Sequence, residues 1–171
     1  MINGLGSLGF TYRRKNFLSW AIWTWCKIFR KTKSKCAHTF GFIDDLNLVI
    51  MEATEKGLMR ASISKYTNDK NVNMRIYENS DLTRQEQEFI AGFVISNEGA
   101  TYDIPGFLSF IWSWIPQIKE WFYCSEIWDI AYREAGHPIF PERKEERISP
   151  AEMEDWIKKQ ENWMKIFEKG C

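Results

Sequence analysis

The chemistry available to this chain centres on one thiol. Cys124 stands in Trp121-Phe122-Tyr123-Cys124-Ser125-Glu126, ahead of Ile127, Trp128, Ala131 and Ala135. Those apolar positions recur at helical spacing, and Gly136 supplies a stop. The spacing predicts a helix with the thiol at or near its N-terminus. Unpaired backbone N–H groups there favour an anion, so a thiol with an ordinary pKa of about 8.5 can fall toward neutrality. The thiolate is the attacking form. With a histidine in reach, such a group performs acyl transfer.

The chain has two histidines, His38 and His137. His38 opens the segment Ala37 to Ile43, which reads as a strand. Asp44-Asp45 reads as a turn and Leu46 to Ala53 as a second strand, rich in aliphatic and β-branched residues. So short a connection makes the pair an antiparallel hairpin. Counting outward from the turn brings Glu52 opposite His38, within a residue or two of register. A carboxylate there can accept a hydrogen bond from one ring nitrogen and leave the other for Cys124, which is the logic of a nucleophile, a base and an orienting group. Glu55 and Asp44 are alternative orienters. His137 lies in a Gly-His-Pro loop and reads as structural. Each group also has a plainer reading: a cysteine at a helix start as a small buried residue, a strand histidine as surface or core.

The surrounding elements read as one α+β domain over residues 1–171, a small antiparallel sheet packed with helices. Leu8 to Tyr12 is expected as a strand and residues 17–30 as a helix. Further strands are expected over Gly57 to Ile63 and Asn73 to Tyr77. A helix capped by Ser80 or Asp81 follows, with Phe89, Ile90, Phe93 and Val94 on its apolar side. An aromatic-rich helix is expected from about Phe107 to Ser113. A last helix begins at Ser149-Pro150, with Glu152 near its positive end. Trp112, Trp114, Trp121, Phe122 and Trp128 form an aromatic belt, read either as core or as the lining of a lipid or glycan groove.

Hydrophobic residues make up 44% of the chain, enough for a sizeable core, and net charge is zero, so nothing in the whole-chain balance points to nucleic acid. The charge is unevenly spread. Residues 1–40 hold eight Lys or Arg and no acid, whereas the rest holds all 23 acids and 15 bases. Arg13, Arg14, Lys15, Lys27, Arg30, Lys31, Lys33 and Lys35 form either a solvated basic face or a docking patch for an anionic surface. Phe17 to Phe29 is apolar but shorter than the roughly 20 residues a spanning helix needs. With no cleavage signal recognised either, a cytoplasmic chain is expected. Residues 13–35 are a candidate for peripheral membrane contact. The four cysteines, Cys26, Cys36, Cys124 and Cys171, show no metal-finger spacing and no disulfide framework. No metal or cofactor is expected.

Four short motifs in order resemble the circularly permuted papain-like hydrolases, a branch of the NlpC-type cysteine peptidase superfamily. They are Ala37-His38-Thr39-Phe40-Gly41-Phe42, Val49-Ile50-Met51-Glu52-Ala53, Tyr102-Asp103 and Tyr123-Cys124-Ser125-Glu126-Ile127; the Ser149-Pro150 helix start is also similar. The chain departs from the family pattern at Ala37, where a serine is usual, and at Thr39-Phe40. The resemblance implies a permuted papain-like fold with Cys124 as nucleophile, His38 as base and Glu52 as orienter. It implies that Tyr102 helps to bind the oxyanion, with Ser125 beside it as a substrate or oxyanion contact; by its own chemistry Ser125 reads as a cap for the Cys124 helix. Its implied activity is an amidase or peptidase working through a thioester acyl-enzyme, for instance on cell-wall peptides. Access to cell wall would then come through lysis or a phage particle. A lipid acyl hydrolase or acyltransferase, and a non-catalytic membrane-surface module, are the alternatives.

Overall fold

The computed structural model describes residues 4–101, 123–141 and 148–170. Among these, six strands form one antiparallel sheet: β1 (Leu8–Arg13), β2 (His38–Asp44), β3 (Val49–Thr54), β4 (Gly57–Ser62), β5 (Val72–Asn79) and β6 (Trp163–Lys169). Their order across the sheet is β4-β3-β2-β1-β5-β6. Five helices accompany it: α1 (Phe17–Phe29), α2 (Ser64–Thr67), α3 (Arg84–Ser96), α4 (Glu126–Glu134) and α5 (Pro150–Ile157). The expected α+β architecture, a small antiparallel sheet with helices, is what the chain adopts.

Both faces of the central strands are covered, which is why Leu8 to Tyr12 and Phe40 to Ile43 read as near-continuous apolar runs rather than clean alternations. On one face Phe40, Phe42, Ile50, Met74 and Ile76 pack with Ile63 and with Tyr66 of α2. On the other, Leu8, Phe10, Met51 and Tyr77 join a larger core with Ile90, Val94, Trp128 and Met153 from the helices. A Cβ built on Gly41 would lie 2.5 Å from the Trp128 ring. The absent side chain therefore lets α4 settle directly on β2.

Several boundaries differ from expectation. β3 begins at Val49 because Asp44 Oδ1 accepts from the N–H groups of Leu46 and Asn47, closing a longer turn that Leu48 completes with a φ of 54°. Helix α3 is capped by Thr83, not Ser80 or Asp81, through a capping box with Glu86. Ser149 and Glu152 form the same device at α5; that helix ends at Ile157 and the chain returns as edge strand β6, a strand that was not expected. The aromatic helix expected near residues 107–113 falls outside the described residues, as do Trp112, Trp114, Trp121 and Phe122 of the belt. Trp128 of that belt is core. No helix among the described residues is long and apolar enough to cross a membrane.

Candidate active site

His38 is the first residue of β2, and Glu52 faces Phe40 across the β2–β3 ladder. The two are thus diagonal neighbours on one face of the hairpin, offset from the direct pairing expected because the turn runs from Asp44 to Val49 rather than closing at Asp44-Asp45; the bulge between Phe42 and Asp44 brings both side chains to the same face. His38 Nε2 lies 2.9 Å from Glu52 Oε2. The His38 side chain and Cys124 line the same cavity, and Cys124 is the neighbour that most favours the charged form of the ring.

Glu52 is held from three sides. Its side chain is 1% exposed, and Lys65 Nζ donates to Oε1 at 2.5 Å while the Tyr66 hydroxyl donates to Oε2. Both donors come from α2, a single turn that seats Tyr66 flat against Phe40. A carboxylate buried with fewer partners would take up a proton instead. Burial does press the Glu52 pKa upward, but the hydrogen bond and charge of His38, with the donors from Lys65 and Tyr66, bring it down to about 2. Burial likewise works against the imidazolium of His38; the charge of and hydrogen bond to Cys124, together with those of Glu52, outweigh it and raise His38 to about 9. The Tyr66 hydroxyl is driven above its ordinary range by burial and by the adjacent carboxylate, which keeps it a donor.

Cys124 lies in the turn before α4, next to Ser125 at the N-cap position. This turn is fastened on both sides to Ile148, whose N–H donates to the Tyr123 hydroxyl at 2.9 Å and whose carbonyl accepts from Ser125 Oγ at 2.5 Å. Ser125 therefore makes no side-chain cap for α4, contrary to expectation, and its buried hydroxyl points away from the thiol's cavity. Neither the Cys124 nor the Ser125 N–H bonds to a backbone carbonyl among the described residues. Tyr102 lies outside the described residues. His137 is remote, paired with Glu86 of α3 at 2.9 Å.

Burial pushes Cys26 up to about 11 and lifts Cys36 well above its ordinary value. Cys124, His38 and Glu52 share one cavity of about 650 Å³. Leu18, Ala21, Ile22 and Trp25 of α1 form an apolar wall, and Arg13, Thr54, Lys65, Ser149 and Pro150 complete the lining. Lys65, Tyr66 and the α1 wall were not foreseen as site residues. A one-turn helix leaves no periodic signal, and α1 read equally well as core or surface.

No family model matches the chain, and no curated protein matches it. Among solved structures it is similar to metalloprotein yiiX from Escherichia coli O157:H7, DUF1105, at 18% identity. The match covers 79% of this chain and 67% of that one, with a TM-score of 0.58. The likeness is one of fold. It overturns the resemblance drawn from the four motifs, since the fold is matched in a DUF1105 metalloprotein and no papain-like or NlpC-type family is found. The motifs have local physical causes instead: Gly41 is set by the Trp128 ring, and Val49 to Ala53 by burial between two cores. The metal in the neighbour's name belongs to that protein. Here His38 Nε2 is committed to Glu52, and among the described residues no three His, Cys, Asp or Glu side chains gather as a ligand set.

Proposed function

We propose that the chain is a cysteine-dependent hydrolase acting on an amide or ester carbonyl, with Cys124 as nucleophile, His38 as general acid–base and Glu52 as orienting carboxylate. The observation that carries this reading is His38, paired through Nε2 with Glu52 at 2.9 Å, lining one cavity with the Cys124 thiol. That is the nucleophile–base–orienter arrangement required for covalent acyl transfer.

In the first half-reaction the Cys124 sulfur attacks the carbonyl carbon and a C–S bond forms. The carbonyl electron pair moves to oxygen, where the Cys124 and Ser125 N–H groups and the positive end of α4 would receive it. As that pair returns, the C–N or C–O bond breaks and protonated His38 gives its proton to the leaving group. In the second half-reaction His38 takes a proton from water, the hydroxide adds to the thioester, and the C–S bond breaks. Carboxylic acid leaves, and the Cys124 thiolate is restored beside protonated His38. Glu52 remains ionised throughout, fixing the ring and stabilising its cationic form.

Alkylation by iodoacetamide with peptide mapping, followed from acid to alkaline pH, tests the assignment. Cys124 is expected to label ahead of Cys26 and Cys36, with the rate at neutral pH falling at least tenfold in His38→Ala. An acyl-enzyme adduct on Cys124, absent in Cys124→Ala, is expected by mass spectrometry with an activated ester. A Cys124 that labels no faster than the buried thiols, at a rate indifferent to His38→Ala, would sink the reading.

A further inference from the structure

Helix α1 carries an unusual surface. Phe17 is 79% exposed and Leu18 58%, and Trp20, Ile28 and Phe29 are exposed with them. Contiguous apolar area of this kind is costly in water and marks a binding surface. Cations stand at both ends of the strip: Lys15 is exposed before the helix, and Lys27 and Lys31 are exposed at its far end. No acidic residue occurs anywhere in residues 1–40. An apolar strip rimmed by cations, on a helix too short to span, is the pattern of a helix lying in the headgroup layer of an anionic bilayer.

The same helix walls the catalytic cavity. Leu18 belongs to both surfaces, 58% exposed and lining the cavity, so the apolar strip and the cavity meet at this residue. Ile22 and Trp25 continue the apolar wall inward to the cavity that holds Cys124. The loop that leaves α1 is fastened by Asp155 of α5, whose carboxylate accepts from Lys33 N at 2.6 Å and Ser34 N at 2.8 Å.

We infer that α1 docks on an anionic phospholipid bilayer and that the substrate is an acyl-bearing lipid of that bilayer, whose chain passes Leu18 to bring its ester or amide carbonyl to Cys124. The substrate assignment rests on the hydrolase reading above; the docking does not. The bond balance is that already given, the products being a fatty acid and the deacylated lipid.

The test uses the full chain with Cys124→Ala, which cannot turn over, in co-sedimentation with vesicles of phosphatidylglycerol and phosphatidylcholine or of phosphatidylcholine alone. Binding is expected at least tenfold tighter to the anionic vesicles at low salt, weaker at high salt, and at least tenfold weaker when Phe17→Ser and Ile28→Ser are added, with an unchanged thermal melt. Active wild-type protein is expected to release fatty acid from the anionic vesicles. Equal affinity for both vesicle types, or full binding by the doubly substituted helix, overturns the docking surface. Turnover of a water-soluble ester without vesicle binding also overturns the surface and leaves the hydrolase standing. Vesicle binding with no release of fatty acid overturns the lipid substrate, and if the soluble ester is also untouched, the hydrolase reading fails with it.

Discussion

Replacing Glu52 by glutamine keeps the side chain's shape and removes its charge. The carboxylate now accepts from His38, Lys65 and Tyr66 at once. Glutamine offers one acceptor oxygen and an NH2 group that can only donate, so it cannot satisfy all three. His38 stands at about 9 against an ordinary 6.5, and burial pulls it downward. That elevation corresponds to roughly 3 kcal/mol of preference for the imidazolium. Glu52→Gln takes away an opposite charge and a hydrogen bond while leaving the burial in place, so His38 is expected to fall by at least about one pH unit, or about 1.4 kcal/mol. Ester turnover followed from about pH 5 to 10 reads this directly, because His38 must be protonated to serve the leaving group. The wild-type alkaline limb is expected near 9 and that of Glu52→Gln lower. The kcat/KM at neutral pH is expected to drop about 10²- to 10⁴-fold, between the loss of acid–base assistance and the loss of a triad carboxylate. A folded Glu52→Gln protein whose alkaline limb does not move would refute the account of His38, whatever its residual rate.

The same two groups set a stability window. Glu52, brought to about 2, contributes stability present above its ordinary 4.5 and lost as pH falls toward 2; His38, raised to about 9, contributes stability present below 6.5 and lost as pH rises through 9. Chemical denaturation across pH is therefore expected to show a maximum between those ordinary values, with an alkaline decline that His38→Ala removes. Gly41→Ala drives a Cβ to 2.5 Å from the Trp128 ring. It should cost about 1–3 kcal/mol in denaturant melts, the usual toll of overpacking, and lower turnover by displacing the Cys124 turn. Thr83→Ala removes the α3 cap far from the cavity and should cost about 1 kcal/mol with kcat unchanged. Arg75→Ala leaves the buried Glu154 carboxylate without its closest cation, for a loss of about 3–5 kcal/mol or failure to fold, read by a thermal melt.

How much of this was legible in the sequence depended on whether the signal was local. The α1, α4 and β2 segments were evident from apolar spacing, and the Ser149-Pro150-Ala151-Glu152 start of α5 from capping chemistry alone. The hairpin count brought His38 and Glu52 together to within two residues of register; the remaining offset comes from the longer turn, which Asp44 and the positive φ of Leu48 build and no apolar pattern announces. β6 escaped because Trp163 to Lys169 interleaves charges with apolar residues at an exposed edge, close behind an acidic helix. Lys65 and Tyr66 were invisible: their importance comes from where a four-residue turn lands, and that is set by the sheet. The family resemblance failed for a related reason. Short motifs record local demands, such as the room Trp128 needs above Gly41, and proteins without common descent can meet the same demand.

The separation in sequence between the hairpin and Cys124 has a consequence in time. His38 and Glu52 lie 14 residues apart and join through one turn, so they can pair as soon as the first third of the chain is made. The thiol arrives with α4, much later in synthesis, and meets the imidazole only when Trp128 drops onto Gly41. If Cys124 attacks a carbonyl as proposed, a nascent or partly folded chain carries its cysteine unaligned with His38, and that ability is switched on only when α4 settles on β2. The reverse follows as well. A local opening that lifts α4 from β2 disarms the protein while its sheet is still intact, so reactivity is lost before structure.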